Sequence, residues 1–509
     1  MPQQDEPPPV TLRELLLGHP ADQTALRSAT GAKLTYGQLR EQVDSTRTAL
    51  SSWGVGRSDA VALVLENGPH MAAAFAGVAS AAAAAPLHPG LHEHEFRDSL
   101  DSLRAKALIV DSGGESAATA AARGLEIPTL QMERTTPAGG FRLPRGSGPS
   151  PDRPGPASSD DPALLLHTSG TTARPKLVPL THANLTASAR NIARTLQLAP
   201  GDSCLNVMPL FHIHGLVGAL LSSLSAGSEV VATPGFQALR FFHWLESLQP
   251  TWYSAVPTMH QAIVQRAARN RASLARGQLR LIRSSSAALA PTVLASLEDA
   301  FGSRVIESYG MTEAAHQMTS NPLPPGERKP GTVGIAAGPE TAVIGASGQL
   351  LNTLEIGEIV VRGANIMEGY VDNPEANAAA FSSGWFRTGD QGFRDADGYF
   401  TITGRLKELI NRGGEKISPR EIDEALLEHP AVAQAVAFAV PHAKLGEEIA
   451  AAVVLQDGAS LTQRQLREFA AERLAGYKVP RQVLFLDGIP KGPSGKLKRV
   501  GLAQELGLG

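Results

Sequence analysis

The sequence predicts an α/β protein: a large N-terminal domain of mainly parallel sheets with helices, a β-rich subdomain after it, and a small α+β C-terminal domain. Short apolar runs recur with helical segments between them, at residues 59–65 (Asp-Ala-Val-Ala-Leu-Val-Leu), 107–110 (Ala-Leu-Ile-Val), 229–232 (Glu-Val-Val-Ala) and 279–282 (Leu-Arg-Leu-Ile). Runs this short and this apolar suit strands buried on both faces, and their alternation with helices indicates parallel pairing. Beyond residue 335 the texture changes. Residues 358–362 (Glu-Ile-Val-Val-Arg) and 398–403 (Gly-Tyr-Phe-Thr-Ile-Thr) alternate as half-exposed strands do. After Gly404 the chain turns charged and helical, and at 509 residues it is too long for one compact core.

Taken in chain order, the first nine residues (Met-Pro-Gln-Gln-Asp-Glu-Pro-Pro-Pro) lack the basic-then-apolar pattern of a secretory signal. Residues 71–86 are alanine-rich but too short for a membrane span and are flanked by His70 and His88, so they read as a close-packed helix running into a strand. Residues 144–161, dense in Pro, Gly, Ser and Asp, read as a flexible surface connector. Residues 163–166 (Ala-Leu-Leu-Leu) form the next strand, and residues 304–308 (Arg-Val-Ile-Glu-Ser) another. Towards the end, residues 419–427 read as an amphipathic helix, and residues 432–440 and 448–455 as strands.

Hydrophobic residues at 42% and charged residues at 19% are ordinary for a globular protein, and a net charge of −3 leaves no basic footprint for nucleic acid. The single cysteine, Cys204, excludes a disulfide framework and sits among Leu205, Val207 and Met208, which reads as a buried, inert thiol in a reducing compartment. A cytoplasmic monomer or homodimer with no membrane partner is expected.

The chemistry begins at residues 169–176 (Ser-Gly-Thr-Thr-Ala-Arg-Pro-Lys), directly after an apolar strand. Small residues let backbone N–H groups close around phosphate oxygens, and hydroxyls and a lysine complete such a cradle. The spacing is not that of a Walker A loop. Four further motifs follow: residues 309–313 (Tyr-Gly-Met-Thr-Glu), 384–390 (Gly-Trp-Phe-Arg-Thr-Gly-Asp), 404–405 (Gly-Arg) and 490–496 (Pro-Lys-Gly-Pro-Ser-Gly-Lys). With these five in order, from about residue 34 to 499, the chain resembles the adenylate-forming superfamily of acyl-CoA synthetases, peptide-synthetase adenylation domains and luciferases.

That resemblance implies two half-reactions: attack of a carboxylate on the α-phosphate of ATP, then displacement of AMP by a nucleophile, usually the thiol of coenzyme A. Such chemistry needs positioning and positive charge more than covalent help from protein. The resemblance assigns ATP and AMP to Thr168, Ser169, Gly170, Thr171, Thr172, Lys176, Ser286, Ala287, Glu307, Ser308, Tyr309, Gly310, Thr312, Asp390 and Arg405. Thr168 to Thr172 and Lys176 face the departing pyrophosphate, Thr312 the α-phosphate, and Asp390 and Arg405 the ribose. Glu313 would hold Mg²⁺, a hard cation that prefers oxygen ligands. Lys496 would neutralise both the attacking carboxylate and the α-phosphate. The domains divide as 1–404 and 405–509, with the hinge at Lys407. Rotation of the small domain would bring Gly413, Gly414, Glu415 and Lys416 in to shape the thiol tunnel. Plainer roles stand beside these: Glu313 as a carboxylate at a helix start capped by Thr312, Asp390 as a turn residue, and Arg405 and Lys496 as solvated charges.

The acid pocket of that superfamily lies between residues 208–215 (Met-Pro-Leu-Phe-His-Ile-His-Gly) and the segment after Glu313, here Ala-Ala-His-Gln-Met-Thr-Ser-Asn-Pro at 314–322. Candidate acid-binding residues are His212, His214, Ser284 and His316, with Gln317 beside them; His212 is also a catalytic candidate. A fatty chain would leave such groups unpaired at about 1–3 kcal/mol each. The pattern resembles the oxalate–CoA ligase branch, which implies oxalate or another short dicarboxylate. Two departures from the commoner family pattern are the serines at 285–286, where glycines are usual, and His88, where asparagine is usual. Structural roles for the histidines remain open. No zinc site is expected, because His212 and His214 are two apart with no third ligand at suitable spacing. Other readings are adenylation of another oxyacid or aryl acid with transfer to a carrier protein or amine and, last, a non-catalytic nucleotide-binding relative.

Overall fold

A computed structural model describes residues 10–168, 175–492 and 497–509. Two layered sheets make up most of the N-terminal region. One has nine strands, ordered Ile335–Ala336, His316–Ser320, Arg304–Met311, Leu281–Ser284, Trp252–Ala255, Ser203–Asn206, Glu229–Ala232, Thr24–Ser28 and Lys33–Thr35. Its centre is parallel and its two edges are antiparallel. The other has seven strands and contains Ala60–Val64, Ala83–Pro86, Ala107–Asp111 and Pro162–Thr168, again mostly parallel. The alanine-rich stretch forms a buried helix, Pro69–Ala79, followed by the strand Ala83–Pro86. Its small side chains let it pack closely between layers, and a Cβ on Gly77 would meet Thr46 Oγ1 at 2.7 Å.

A five-stranded antiparallel sheet, built from Glu340–Ile344, Gly357–Arg362, Phe381–Ser382, Trp385–Arg394 and Phe400–Arg405, is the expected β-rich subdomain. A second five-stranded sheet holds Ile410–Arg412, Glu415–Ile417, Val432–His442, Gly446–Leu455 and Gln482–Phe485, with the helix Pro419–Leu427 packed on it. Cys204 is fully buried, and burial pushes its thiol well above its ordinary range.

Two details differ from expectation. Residues 144–161 lack regular structure as read, but they are tied down: Trp53 Nε1 donates to the Pro144 carbonyl at 2.9 Å, and Gly148 N and Arg57 N join this strap to its neighbours. The strand read at 304–308 continues to Met311, because its pairing with His316–Ser320 extends through Tyr309 and Gly310.

Candidate active site

Site-forming segments leave the sheets at one end of their strands. Pro162–Thr168 and Lys176–Thr181 pair antiparallel, so Thr168 faces Lys176 across the mouth of the phosphate-type loop. Thr168 Oγ1 donates to the Lys176 carbonyl at 3.4 Å. The loop residues themselves, Ser169, Gly170, Thr171 and Thr172, lie outside the described residues, as does Lys496. Lys176 Nζ stands 4.4 Å over the ring of Tyr370, whose hydroxyl donates to Glu313 Oε1 at 2.9 Å. Lysine, tyrosine and carboxylate are thus joined in one cluster.

Glu313 lies in the first turn of a short 3₁₀ helix, Thr312–Ala314, whose N-cap is Met311 and not Thr312. Burial raises the Glu313 pKa above the usual carboxylate range, an effect opposed by a backbone hydrogen bond, by Tyr370 and by the nearby cations Arg405 and Lys176. No group of three His, Cys, Asp or Glu side chains able to cage a metal occurs among the described residues. One buried carboxylate suits a cation that takes its remaining ligands from phosphate and water, as Mg²⁺ does.

Asp390 is 6% exposed and already engaged on both oxygens. Tyr309 Oη donates to Oδ2 at 2.5 Å and Arg405 Nε to Oδ1 at 2.8 Å. The register explains the second contact, since Asp390 and Arg405 face each other across the Trp385–Arg394 and Phe400–Arg405 strands. Proximity to Asp390 raises the Arg405 pKa further, and the guanidinium keeps one side to solvent. Gly310 is where two backbones meet: a Cβ there would sit 1.4 Å from the His316 carbonyl.

Glu307 is buried behind the serine loop, and its Oε1 accepts from Leu289 N at 3.1 Å. It holds the loop's backbone in place, and burial pushes its pKa up to about 7. Ser308 Oγ donates to the Ser284 carbonyl at 3.4 Å, and Ser285 Oγ to the Ser308 carbonyl at 3.1 Å. Ser286 takes a left-handed backbone, φ 75°, with half-buried surface, and Ala287 beside it is exposed. Ala315 and His316 also have positive φ, 46° and 100°. Three non-glycine residues in this conformation mark strain held by the surrounding structure, as functional sites often show.

The two proposed acid-pocket segments do converge. His214 and His316 stack with centroids 4.9 Å apart, and His214 hydrogen-bonds Ser254 Oγ at 2.6 Å through Nε2 and Ser286 Oγ at 3.1 Å through Nδ1. His214 opens a π-helix, His214–Leu221, and Gly218 on it touches both rings: a Cβ there would meet His316 Nε2 at 2.5 Å. His212 is half-buried against Phe211, which in turn packs edge-on to His88. Ser284 is buried, and its hydroxyl has no partner among the described residues.

Sequence reasoning missed Arg283. It is fully buried at the centre of the cluster, donating to His316 Nε2 at 2.9 Å and to Gln317 Oε1 at 3.1 Å. The available signal was a charged residue inside the apolar strand Leu281–Ser284. Tyr370 and Ser254 were missed as well, because neither lies in a motif.

Lys407 is exposed in the turn between Phe400–Arg405 and Ile410–Arg412. Gly413 and Gly414, φ 61° and 97°, form an exposed hairpin turn leading into Glu415 and Lys416.

Comparison with known proteins matches residues 13–371 to the AMP-binding enzyme family and residues 421–496 to the AMP-binding enzyme C-terminal domain. The chain is 43% identical over 493 residues to an oxalate–CoA ligase of Arabidopsis thaliana, covering 95% of each protein. It is 38% identical to a sulfoacetate–CoA ligase of Cupriavidus necator, covering 93% of this chain and 92% of that one. The crystal structure of ATP-bound MatB from Rhodopseudomonas palustris superposes with a TM-score of 0.86 at 29% identity, covering 96% and 97%. The chain belongs to the AMP-binding enzyme family and has the fold of the adenylate-forming CoA ligases.

Proposed function

We propose that this enzyme uses ATP to activate a short acid with a second anionic group, oxalate first among them, as an acyl-adenylate and then passes the acyl group to coenzyme A. The observation that carries the choice of acid is the polar cluster of His214, His316, Ser286 and Ser254 gathered around the buried Arg283. A hydrocarbon chain would bring neither a counter-charge to the buried Arg283 nor an acceptor to the Ser286 hydroxyl, whereas a second carboxylate or a sulfonate brings both. The relatives named for oxalate and sulfoacetate point the same way, since both acids carry two negative groups.

In this reading Thr168, Lys176 and the loop they frame bind the phosphates, and Thr312 reaches the α-phosphate. Asp390, held by Tyr309 and Arg405, accepts from the ribose hydroxyls. Ser286 and Ala287 border the adenine. Glu313 holds Mg²⁺, which when bound supplies charge neutralisation to the phosphate oxygens. Lys496 neutralises the attacking carboxylate during adenylation. Rotation about Lys407 then presents the 413–416 hairpin to the thiol. The lone buried Cys204 agrees with a reducing compartment such as the cytoplasm. Among the described residues no helix is long and apolar enough to cross a membrane.

The test is acid-dependent ATP–pyrophosphate exchange without coenzyme A, using oxalate, sulfoacetate, malonate, acetate and an aryl acid. Exchange strongest with oxalate or sulfoacetate, followed by AMP release and thioester formation on adding coenzyme A, is expected. Exchange with the aryl acid alone would overturn the choice of acid.

A further inference from the structure

Arg283 is a fully buried guanidinium with no carboxylate partner among the described residues. It reaches its place because it lies on a central strand of the nine-stranded sheet, in register with Ser254 on one side and Ile306 on the other. Burying an arginine without a counter-charge is costly, and proteins retain it mainly where something else requires the charge. All of its recorded partners are neutral acceptors: His316 Nε2 at 2.9 Å, Gln317 Oε1 at 3.1 Å and Ser254 Oγ at 3.4 Å. Among the described residues its Nε finds no partner.

Arginine can only donate, and this fixes the direction of the bonds around it. His316 Nε2 must accept, so the neutral ring carries its proton on Nδ1. Ser254 Oγ accepts from Arg283 and, in the arrangement we assign, donates its proton to His214 Nε2, 2.6 Å away. His214 then carries its proton on Nδ1 and donates to Ser286 Oγ at 3.1 Å. The half-buried Ser286 hydroxyl is left with a proton to donate. Gln317 agrees: with its oxygen accepting from Arg283, its amide donates to Thr195 Oγ1 and the Ala337 carbonyl, both at 3.1 Å. Burial lowers the Arg283 pKa to about 9, which still leaves it charged near neutrality.

We infer that Arg283 is a positioning residue that supplies the counter-charge for the far anionic group of the acid and, through Ser254 and His214, orients the Ser286 hydroxyl as a donor towards it. It acts through these side chains and sets selectivity between acids with two negative groups and acids with one. The inference deepens the proposed function and rests on its choice of a dianionic acid.

The experiment compares kcat and KM in ATP–pyrophosphate exchange for oxalate and acetate, using the full-length enzyme and its Arg283→Met, Arg283→Lys and Gln317→Glu variants. The oxalate-to-acetate ratio of kcat/KM should fall by about 30-fold or more in Arg283→Met, mainly through KM for oxalate. Arg283→Lys, which keeps the charge, should recover much of that ratio. Gln317→Glu keeps the guanidinium but gives it an internal carboxylate, and it should depress the ratio as Arg283→Met does. A parallel loss for both acids in a folded Arg283→Met enzyme, or no difference between Lys and Met at 283, would overturn the inference. Should Arg283→Met fail to fold, an unchanged ratio in Gln317→Glu overturns it instead. A wild-type enzyme that prefers acetate would overturn the choice of acid itself, an outcome distinct from either variant result.

Discussion

Glu307 shows how one carboxyl can serve the site through the backbone. Its Oε1 holds Leu289 N at the end of the serine loop, while its Oε2 is buried without a partner among the described residues. Because burial raises its pKa, from 4.5 to about 7, it contributes stability that is full below pH 4.5 and lost as pH rises through 7. The difference amounts to about 3 kcal/mol. Glu307→Gln keeps the accepting oxygen and removes the charge, so thermal melts of the ligand-free enzyme between pH 4.5 and 8 should show a flatter decline than wild type; identical profiles would exclude Glu307 as the source. Lys496 belongs to the same scale. Lys496→Ala is expected to lower acid-dependent pyrophosphate exchange by at least about 100-fold while ATP still binds by calorimetry. Exchange at the wild-type rate would remove its proposed role. The proposal for Lys496 rests on residues 490–496 alone, because its motif is contiguous. For Glu307 the sequence offered a strand position and, by resemblance, a nucleotide contact; its bond to Leu289 spans a loop that the sequence does not measure.

The π-helix His214–Leu221 is the element that sets the pocket's geometry. One extra residue in the turn lets His214 and the backbone of Gly218 share one face against His316. Gly218→Ala would drive a methyl into the His316 ring at 2.5 Å and break its bond to Arg283. Overpacking of this kind costs about 1–3 kcal/mol. We expect a lower melting temperature and a loss of acid-dependent exchange with ATP affinity retained; an unperturbed oxalate KM would show that the ring pair is not part of the acid site. At the other end of the chain, Arg499 does the work of an anchor. It donates to Asp423 Oδ2 at 2.6 Å and Glu408 Oε2 at 3.1 Å, tying the end of the terminal motif to the helix Pro419–Leu427 and to the turn that carries Lys407. The sequence showed the helix through its apolar spacing. It could not show the π-bulge, which arises where packing against a second segment outweighs regular hydrogen bonding.

On the scale of the whole molecule, two sheets meet at residues 406–409. Phe400–Arg405 ends in the β-rich subdomain and Ile410–Arg412 opens the small domain. Leu406 N donates to the Gly389 carbonyl at 2.8 Å and Glu408 N to the Arg405 carbonyl at 2.9 Å, whereas Lys407 is exposed between them. Proline fixes φ, so Lys407→Pro should stiffen this turn. Pyrophosphate exchange should survive in that variant, and thioester formation should fall by about 10-fold or more. Equal effects on the two steps would argue against a hinge. By itself the sequence determined the α/β class, the alternation of strands and helices, the family and the contiguous motifs, because apolar periodicity and short-range turn chemistry are written in neighbouring residues. The tertiary structure alone decided that Arg283 is buried without a counter-charge among the described residues, that Tyr309 and Arg405 share Asp390, and that Tyr370 joins Lys176 to Glu313. Burial and pairing of this kind are sums over residues tens to hundreds of positions apart, and they exist only once the sheets have brought those residues together.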